Sequence, residues 1–511
     1  MGRLGSASDR VALVADEGTF EPWDEDVVSD DPLRFSDVRP YRSRLEEARS
    51  RTGLGESVLT GSARVEGRPC VVVAGEFGFL GGSIGVATGE RVARAFERAL
   101  ASRLPLVALP ASGGSRMQEG TLALVQMAKL ADAARRLRAA GLPYVVCLTD
   151  PTTGGVLASW GSLGTVTFAL PDALLGFAGP RVVELLTGSP LPAGVQTSET
   201  LLAQGLVDGL VVPAEARSAV ARVLSVAAAR RTAGSSTSSV GDPAVPALAP
   251  GDAWASLGFA RDRRRPGARE LLDAVASDVT ELRGDRTGRP DDPGCFAALA
   301  RVCGVPAVVV AQRRAPDGTP PALGPAGFRK ARRAMALAAE LRLPLVTLVD
   351  TPGAELSAAA ERGGLAGEIA GCLAELSGLP VPTLALLIGE GGSGGALALL
   401  VADRLVCAEH ASLGVIAPEG ASAILYRDLD HAPELAAAQG GASWQLADAR
   451  IADAIVPEPQ PAHEQPRAFV ARLAAVVERE LAALLVRDDA ERLAARHARW
   501  RALGTPGGGA G

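Results

Sequence analysis

Only two lysines, Lys129 and Lys330, stand in this chain of 511 residues, so arginine carries nearly all of its positive charge. Lys and Arg total 52 against 58 Asp and Glu, a net charge of −6. That balance argues against a nucleic-acid or membrane-surface protein, since both favour a basic face. Histidine is scarce as well. The four are His410, His431, His463 and His497, none in a glycine motif, and the last two lie in polar segments expected to be exposed. Their placement weakens a Ser-His-Asp or Cys-His hydrolase, and no metal-ligand cluster is visible. The six cysteines form no C-x-x-C pair, and most sit in apolar runs, as reduced, buried residues of a cytoplasmic protein do. No run of about 18 apolar residues suggests a spanning helix. The first residues, with Arg3, Asp9 and Arg10, lack the apolar segment of a signal peptide.

What the chain does have is apolar content of 47%, enough for two full cores, and a long internal repeat. Arg-Leu-Pro-Leu-Val occurs at Arg103 to Val107 and again at Arg342 to Val346, an offset of 342 − 103 = 239 residues. Each copy leads into a Gly-bearing turn, a helix-like segment, a Gly-Leu-Pro (Gly141 to Pro143; Gly378 to Pro380), a second apolar run and a Gly-Gly pair. A period this long means a whole domain duplicated. Met127, Leu130, Ala134 and Leu137 share one helical face, as do Leu365, Ile369, Leu373 and Leu376; Gly and Pro then stop each helix. Short Val- and Leu-rich runs alternating with helices place both halves in the α/β class. Residues 1–50 are acidic and poorly patterned and read as a poorly ordered arm. The first domain is expected at 51–229, a Ser- and Pro-rich flexible linker at 230–252, the second domain at 253–501, and a disordered tail at 502–511.

Two glycine segments sit between strand and helix. In Ala111 to Gly120, the pair Gly113-Gly114 offers adjacent amides with no side chain in the way, suited to a developing negative charge; a tight turn needing only positive φ is the simpler reading. Ile388 to Ala398, with Gly389-Glu390-Gly391-Gly392-Ser393-Gly394-Gly395-Ala396, is flanked by apolar runs and so is no linker. It lacks the Gly-Lys-Ser/Thr of a phosphate loop. Thr149 to Gly155 is its first-half counterpart. Asp150, Asp350, Glu390 and Glu419 lie near these turns as candidate acids or bases, although such residues more often cap helices.

These segments resemble the carboxyltransferase component of bacterial biotin-dependent acetyl-CoA carboxylase, a crotonase-superfamily enzyme. The first half resembles its β subunit through Gly81 to Gly85, Ala111 to Gly120, Leu148 to Gly155 and Gly176 to Arg181. The second half resembles its α subunit through Gly284 to Arg286, Gly327 to Ala331, Asp350 to Ala354, Glu361 to Gly363, Gly389 to Ala396 and Ala417 to Gly420. The resemblance implies two tandem crotonase-like (ββα spiral) domains in one α/β chain, with the acyl-CoA side first and the biotin side second. It implies carboxyl transfer from carboxybiotin, carried on a separate protein, to acetyl-CoA, giving malonyl-CoA for fatty acid synthesis.

By that resemblance the amides of Gly113 and Gly114 hold the thioester oxygen, and those of Gly395 and Ala396 hold the biotin carbonyl. Ser112, Ser115, Arg116, Gly154, Gly155, Gly353 and Gly394 are expected to bind substrate. Expected partners are a biotin carboxyl carrier protein and a biotin carboxylase, because no biotinyl Met-Lys-Met and no ATP-binding pattern occur here. The family's active site joins halves of different protomers, so a homodimer or larger oligomer is expected. The family's four-cysteine zinc ribbon has no counterpart before Cys70, so no zinc is expected. Glu355-Leu356-Ser357 and Ala158 to Gly161 depart from the family pattern beside the pocket, leaving acyl preference open. Other readings are a carboxyltransferase for propionyl-CoA or a secondary-metabolism acyl-CoA, a decarboxylase of the same fold, and a non-catalytic scaffold for acyl-CoA or biotinyl protein.

Overall fold

In a computed structural model that describes residues 5–228 and 251–503, the chain divides into two compact units. One is Met1–Ala229 with Arg286–Pro290, the other Arg230–Asp285 with Asp291–Gly511. The short return of Arg286–Pro290 to the first unit departs from the expected domain boundary, and no composition shift marks it. The expected linker lies outside the described residues except for its last two positions, and so does the tail from residue 504.

Each unit is built on one mixed sheet. In the first, seven strands run in the order Glu21–Trp23, Val58–Val65, Arg68–Gly75, Leu106–Leu109, Tyr144–Leu148, Val166–Ala169, Gly209–Leu210. The first three pair antiparallel and the rest parallel. The second unit repeats the plan with Ala276–Glu281, Cys295–Val302, Val305–Gln312, Leu345–Thr351, Thr383–Gly392, Arg404–Ala408 and Ala454–Val456. Ser412–Gly414 pairs with the end of Thr383–Gly392 as an eighth strand. Central parallel strands such as Tyr144–Leu148 are buried along their whole length, which is why they read as continuous apolar runs.

The helix before the repeated strand spans Val86–Ser102 in one unit and Pro325–Leu341 in the other, so both ends differ by 239 residues. Both stop in the left-handed region, at Arg103 (φ +53°) and Arg342 (φ +55°). Val92, Ala95, Phe96 and Ala99 turn the first of these helices into the core, where Phe96 meets Tyr144 edge-on at 5.1 Å. In the helix Gly120–Ala139, Leu130, Ala134 and Leu137 are buried as their spacing predicts, with Met127 half-buried. In Leu365–Ser377, Leu365 and Leu376 are buried, whereas Ile369 and Leu373 are only half-buried.

The arm is the clearest departure from the sequence reading. Residues 5–50 hold a helix at Ala7–Val14, an edge strand at Glu21–Trp23 and most of a helix at Tyr41–Thr52. Tyr41, Leu45 and Ala48 are buried against Phe79. The acidic residues that obscured the pattern are partly consumed locally: Asp9 caps the first helix with Ser6, and Asp24 pairs with Arg94 and Arg98.

Candidate active site

In the first unit the strand Leu106–Leu109 ends at Pro110, and the chain turns through Ala111 to Gly114 against a second turn, Thr149 to Thr153, which contains a cis Asp150–Pro151 bond. The Ser112 amide donates to the Pro151 carbonyl and the Thr153 amide donates to the Ser112 carbonyl, each at 2.8 Å. The turns are thus held together by backbone hydrogen bonds. Gly154 begins a short helix, Gly154–Leu157, at φ +60°, and a Cβ there would lie 2.7 Å from the Gly114 Cα. Only glycine fits that approach.

This packing engages the amides of the expected donors Gly113 and Gly114 within the protein. The Gly113 amide donates to the Gly81 carbonyl at 2.8 Å, and the Gly114 amide to the Ser112 Oγ at 3.0 Å. An amide has one proton, so neither is left for a substrate oxygen. Ser112, expected to bind substrate, is buried and serves as that acceptor. The uncommitted geometry lies one turn away. Gly154 and Gly155 occupy the first turn of their helix, where its amides have no carbonyl of the same helix to bond. The Ser115 Oγ lies beside Gly155, 2.7 Å from where its Cβ would be.

The second unit repeats this arrangement at the same offset. Thr351 stands for Ser112 (351 − 112 = 239) and Gly353 for Gly114. The Gly353 amide, expected to contact substrate, donates to the Thr351 Oγ1 at 3.1 Å instead. Ser393 stands for Gly154 and Gly394 for Gly155, and Ser393 takes φ +56°, a conformation that costs a non-glycine residue roughly 1 kcal/mol. Gly395 and Ala396 therefore correspond to Val156 and Leu157, one step farther along the helix than the first-unit glycines. Gly395 packs directly on the first turn, its missing Cβ 2.6 Å from the Ala354 amide nitrogen. At Gly394 a Cβ would meet only Ile369, at 3.6 Å, so that side is open.

The carboxylates near the turns are largely held in place by cations. Arg314 binds Asp350 at 2.5 Å, and Arg261 bridges Glu390 at 2.6 Å and Glu419 at 2.5 Å. Asp150 accepts the Leu174 amide at 3.0 Å. Burial would raise Glu419, but its hydrogen bond from Arg261 outweighs this and holds the carboxyl below its ordinary range. A carboxylate so stabilised is a poor general base. The arrangement offers first-turn amides in each unit rather than a side-chain nucleophile.

Residues 248–504 match the acetyl co-enzyme A carboxylase carboxyltransferase-like family. The whole chain is similar to the probable biotin-dependent acyl-coenzyme A carboxylase beta3 subunit of Mycobacterium tuberculosis H37Rv, at 49% identity over 96% of this chain and 97% of that one. It is 45% identical to the acetyl-coenzyme A carboxylase carboxyl transferase subunits beta/alpha of Salinispora arenicola, over 98% and 90% of the two chains. The chain belongs to the carboxyltransferase family of biotin-dependent acyl-CoA carboxylases. The transcarboxylase 12S structure with methylmalonyl-coenzyme A and methylmalonic acid bound shares the fold, with a TM-score of 0.71 at 22% identity over 92% of this chain and 90% of that one. The two sheets are thus tandem crotonase-like domains.

In this carboxyltransferase Arg116, expected to bind substrate, is engaged in a buried ion network. Its guanidinium is fully buried, 2.5 Å from Glu56 and 3.2 Å from Glu119, with Ser83 and Ser57 completing its hydrogen bonds. Arg116 follows the turn in sequence but points away from it, which local sequence does not reveal. His497 is exposed, but the His463 side chain is only 7% exposed, packed near Phe259 and Asp262. Burial pushes His410 below its ordinary pKa, and its Nδ1 lies 3.0 Å from the Ser256 Oγ. Among the described residues no group of three His, Cys, Asp or Glu could hold a metal ion. Thr351 escaped the sequence reading, although the offset of 239 from Ser112 marks it. Arg314 and Arg261 carried no such signal.

Proposed function

We propose that this chain transfers the carboxyl group of carboxybiotin, borne on a separate biotin carboxyl carrier protein and loaded by a biotin carboxylase, to acetyl-CoA, forming malonyl-CoA. The observation that carries this reading is the repetition, 239 residues apart, of a Gly-lined turn packed on a first-turn helix. The reaction needs two oxygens stabilised, the thioester oxygen as the CoA substrate becomes an enolate and the ureido oxygen of biotin as it loses its carboxyl group. Two equivalent amide sites suit two such oxygens. In the first unit Gly154 and Gly155 donate to the thioester oxygen, in place of Gly113 and Gly114. In the second, Gly394 and Gly395, followed by Ala396, face the ureido oxygen. One such donor is worth about 3 kcal/mol in the transition state.

The site is completed by a second copy of the chain. Exposed Leu185 and Leu186 on one helix, and Ile424 and Leu425 on another, leave apolar surface that self-association would cover. An active enzyme that sediments strictly as a monomer contradicts this. No helix among the described residues is long and apolar enough to cross a membrane, and five of the six cysteines are buried and free; both suit a cytoplasmic enzyme of lipid synthesis.

A second reading, transfer to another acyl-CoA, is favoured by the relatives at 49% identity, whose name specifies acyl-coenzyme A rather than acetyl-coenzyme A. Malonyl-CoA-dependent carboxylation of free biotin, run beside methylmalonyl-CoA, separates the two. Activity with methylmalonyl-CoA alone sinks the acetyl reading. Activity with neither, together with retained binding of acyl-CoA, supports a non-catalytic scaffold.

A further inference from the structure

We infer that residues 5–50 are a positioning arm for the first-unit site, with Arg10, Ser29 and Tyr41 as its contact points; the inference rests on the carboxyl-transfer reading. The arm reaches the Thr149 to Thr153 turn and the Glu119 end of the loop that follows Gly114. Arg10 is buried, and its Nε donates to the Thr149 Oγ1 at 3.0 Å. That hydroxyl donates in turn to the Pro110 carbonyl at 2.6 Å, the last residue before the Ala111 to Gly114 turn. Arg10 therefore orients the hydroxyl that ties the start of one turn to the start of the other. The Ala7 amide also donates to Glu76 at 2.6 Å, at the end of the strand beside this pair.

Ser29 and Tyr41 act on the far side of the same loop. The Tyr41 hydroxyl donates to the Glu119 Oε1 at 2.6 Å and the Ser29 Oγ to the same oxygen at 2.5 Å. The other oxygen of Glu119 takes the Val86 amide at 2.5 Å. Arg116 lies between this carboxylate and Glu56, and its amide donates to the Ile84 carbonyl at 2.8 Å. Ser115, whose hydroxyl lies beside Gly155, immediately precedes Arg116 in the chain. The loop from Ser112 to Glu119 is thus pinned by the arm directly at its Glu119 end, and at its start only through Thr149, which Arg10 holds. A fully satisfied buried network of this kind sets a single geometry, and amide donors must be held that closely to work.

The test uses the full chain with Tyr41→Phe, Arg10→Leu and Arg10→Lys, and with Arg39→Ala in an exposed ion pair of the arm as control. Tyr41→Phe keeps the ring in its core and removes only the hydroxyl. Expected is a fall in kcat of about 10-fold for biotin carboxylation, with KM for malonyl-CoA changed less than about 2-fold, as for a misplaced rather than a missing contact. Arg10→Lys recovers part of what Arg10→Leu loses, and Arg39→Ala changes nothing. Hydrogen exchange supplies a readout free of activity: protection at 112–119 falls in Tyr41→Phe and at 149–157 in Arg10→Leu. Unchanged exchange at both turns, or activity lost only in proportion to folded protein, overturns the arm's role. An inactive wild type instead overturns the carboxyl-transfer reading, and exchange still decides the arm.

Discussion

Replacing Gly395 by alanine tests whether the second-unit amides act through their position. The added Cβ would lie 2.6 Å from the Ala354 nitrogen and 2.8 Å from the Gly353 carbonyl carbon, whereas ordinary contact begins at 3.4 Å. Both neighbours are backbone, so the turn and the helix must separate by about 3.4 − 2.6 = 0.8 Å. A donor at about 2.9 Å that retreats by that much passes out of hydrogen-bond range. The expected loss is about 10²–10³ in kcat, worth roughly 3–4 kcal/mol, with an overpacking cost of about 1–3 kcal/mol in stability. Gly394→Ala is the companion, because its Cβ meets only Ile369 at 3.6 Å. It should fold at least as well as the parent, since alanine is the better helix residue. Its methyl should raise KM for biotin by projecting on the open side. Steady-state carboxylation of free biotin, with a thermal melt of each variant, separates chemistry from folding. A folded Gly395→Ala enzyme with parental kcat refutes the assignment.

Arg116→Met should lower stability by about 3–5 kcal/mol, because Glu56 and Glu119 would be left buried without their cation; a normal melt with a raised KM would return Arg116 to substrate binding. Burial alone would raise Glu119, but Ser29, Tyr41 and Arg116 together hold its carboxyl below the ordinary range. Its stabilisation is therefore complete above the unfolded carboxylate range and is lost as the pH falls through the depressed folded value. Tyr41→Phe should move the acid-unfolding midpoint to higher pH, and an unchanged midpoint counts against the network. Burial pushes Cys70, Cys147, Cys295 and Cys407 up to about 12, and five of the six thiols are buried. At pH 8 a thiol reagent should modify no more than Cys303 in the native chain; rapid reaction of several thiols would contradict the packing.

The places where the structure differs from the sequence reading share one physical origin. Gly113 and Gly114 have the residue types and strand-to-helix position of oxyanion donors, and their sequence meets every local requirement. Their amides are spent because Gly81 lies across from one and the Ser112 side chain curls back on the other. The first partner is distant in sequence, so no local pattern announces it. Residues 5–50 misled for a related reason. Their apolar contacts are few and far apart, and the helix Tyr41–Thr52 earns its place by burying Tyr41 and Leu45 against Phe79 rather than by its own amphipathic pattern.

The sequence by itself determined the duplication, the α/β class and the strand-to-helix turns where the proposed sites lie. Each of these depends on period, glycine placement or a constant offset, all local or self-referential properties. Both ends of the paired helices, Val86–Ser102 and Pro325–Leu341, keep that offset of 239. Tertiary structure alone decided that the Gly113 and Gly114 amides are spent within the protein, that Arg116 belongs to a buried ion network, and that Arg10, Ser29 and Tyr41 hydrogen-bond to residues around the first-unit turns. Hydrogen bonds and burial are settled between residues far apart in the chain, and a peptide group can donate its proton only once.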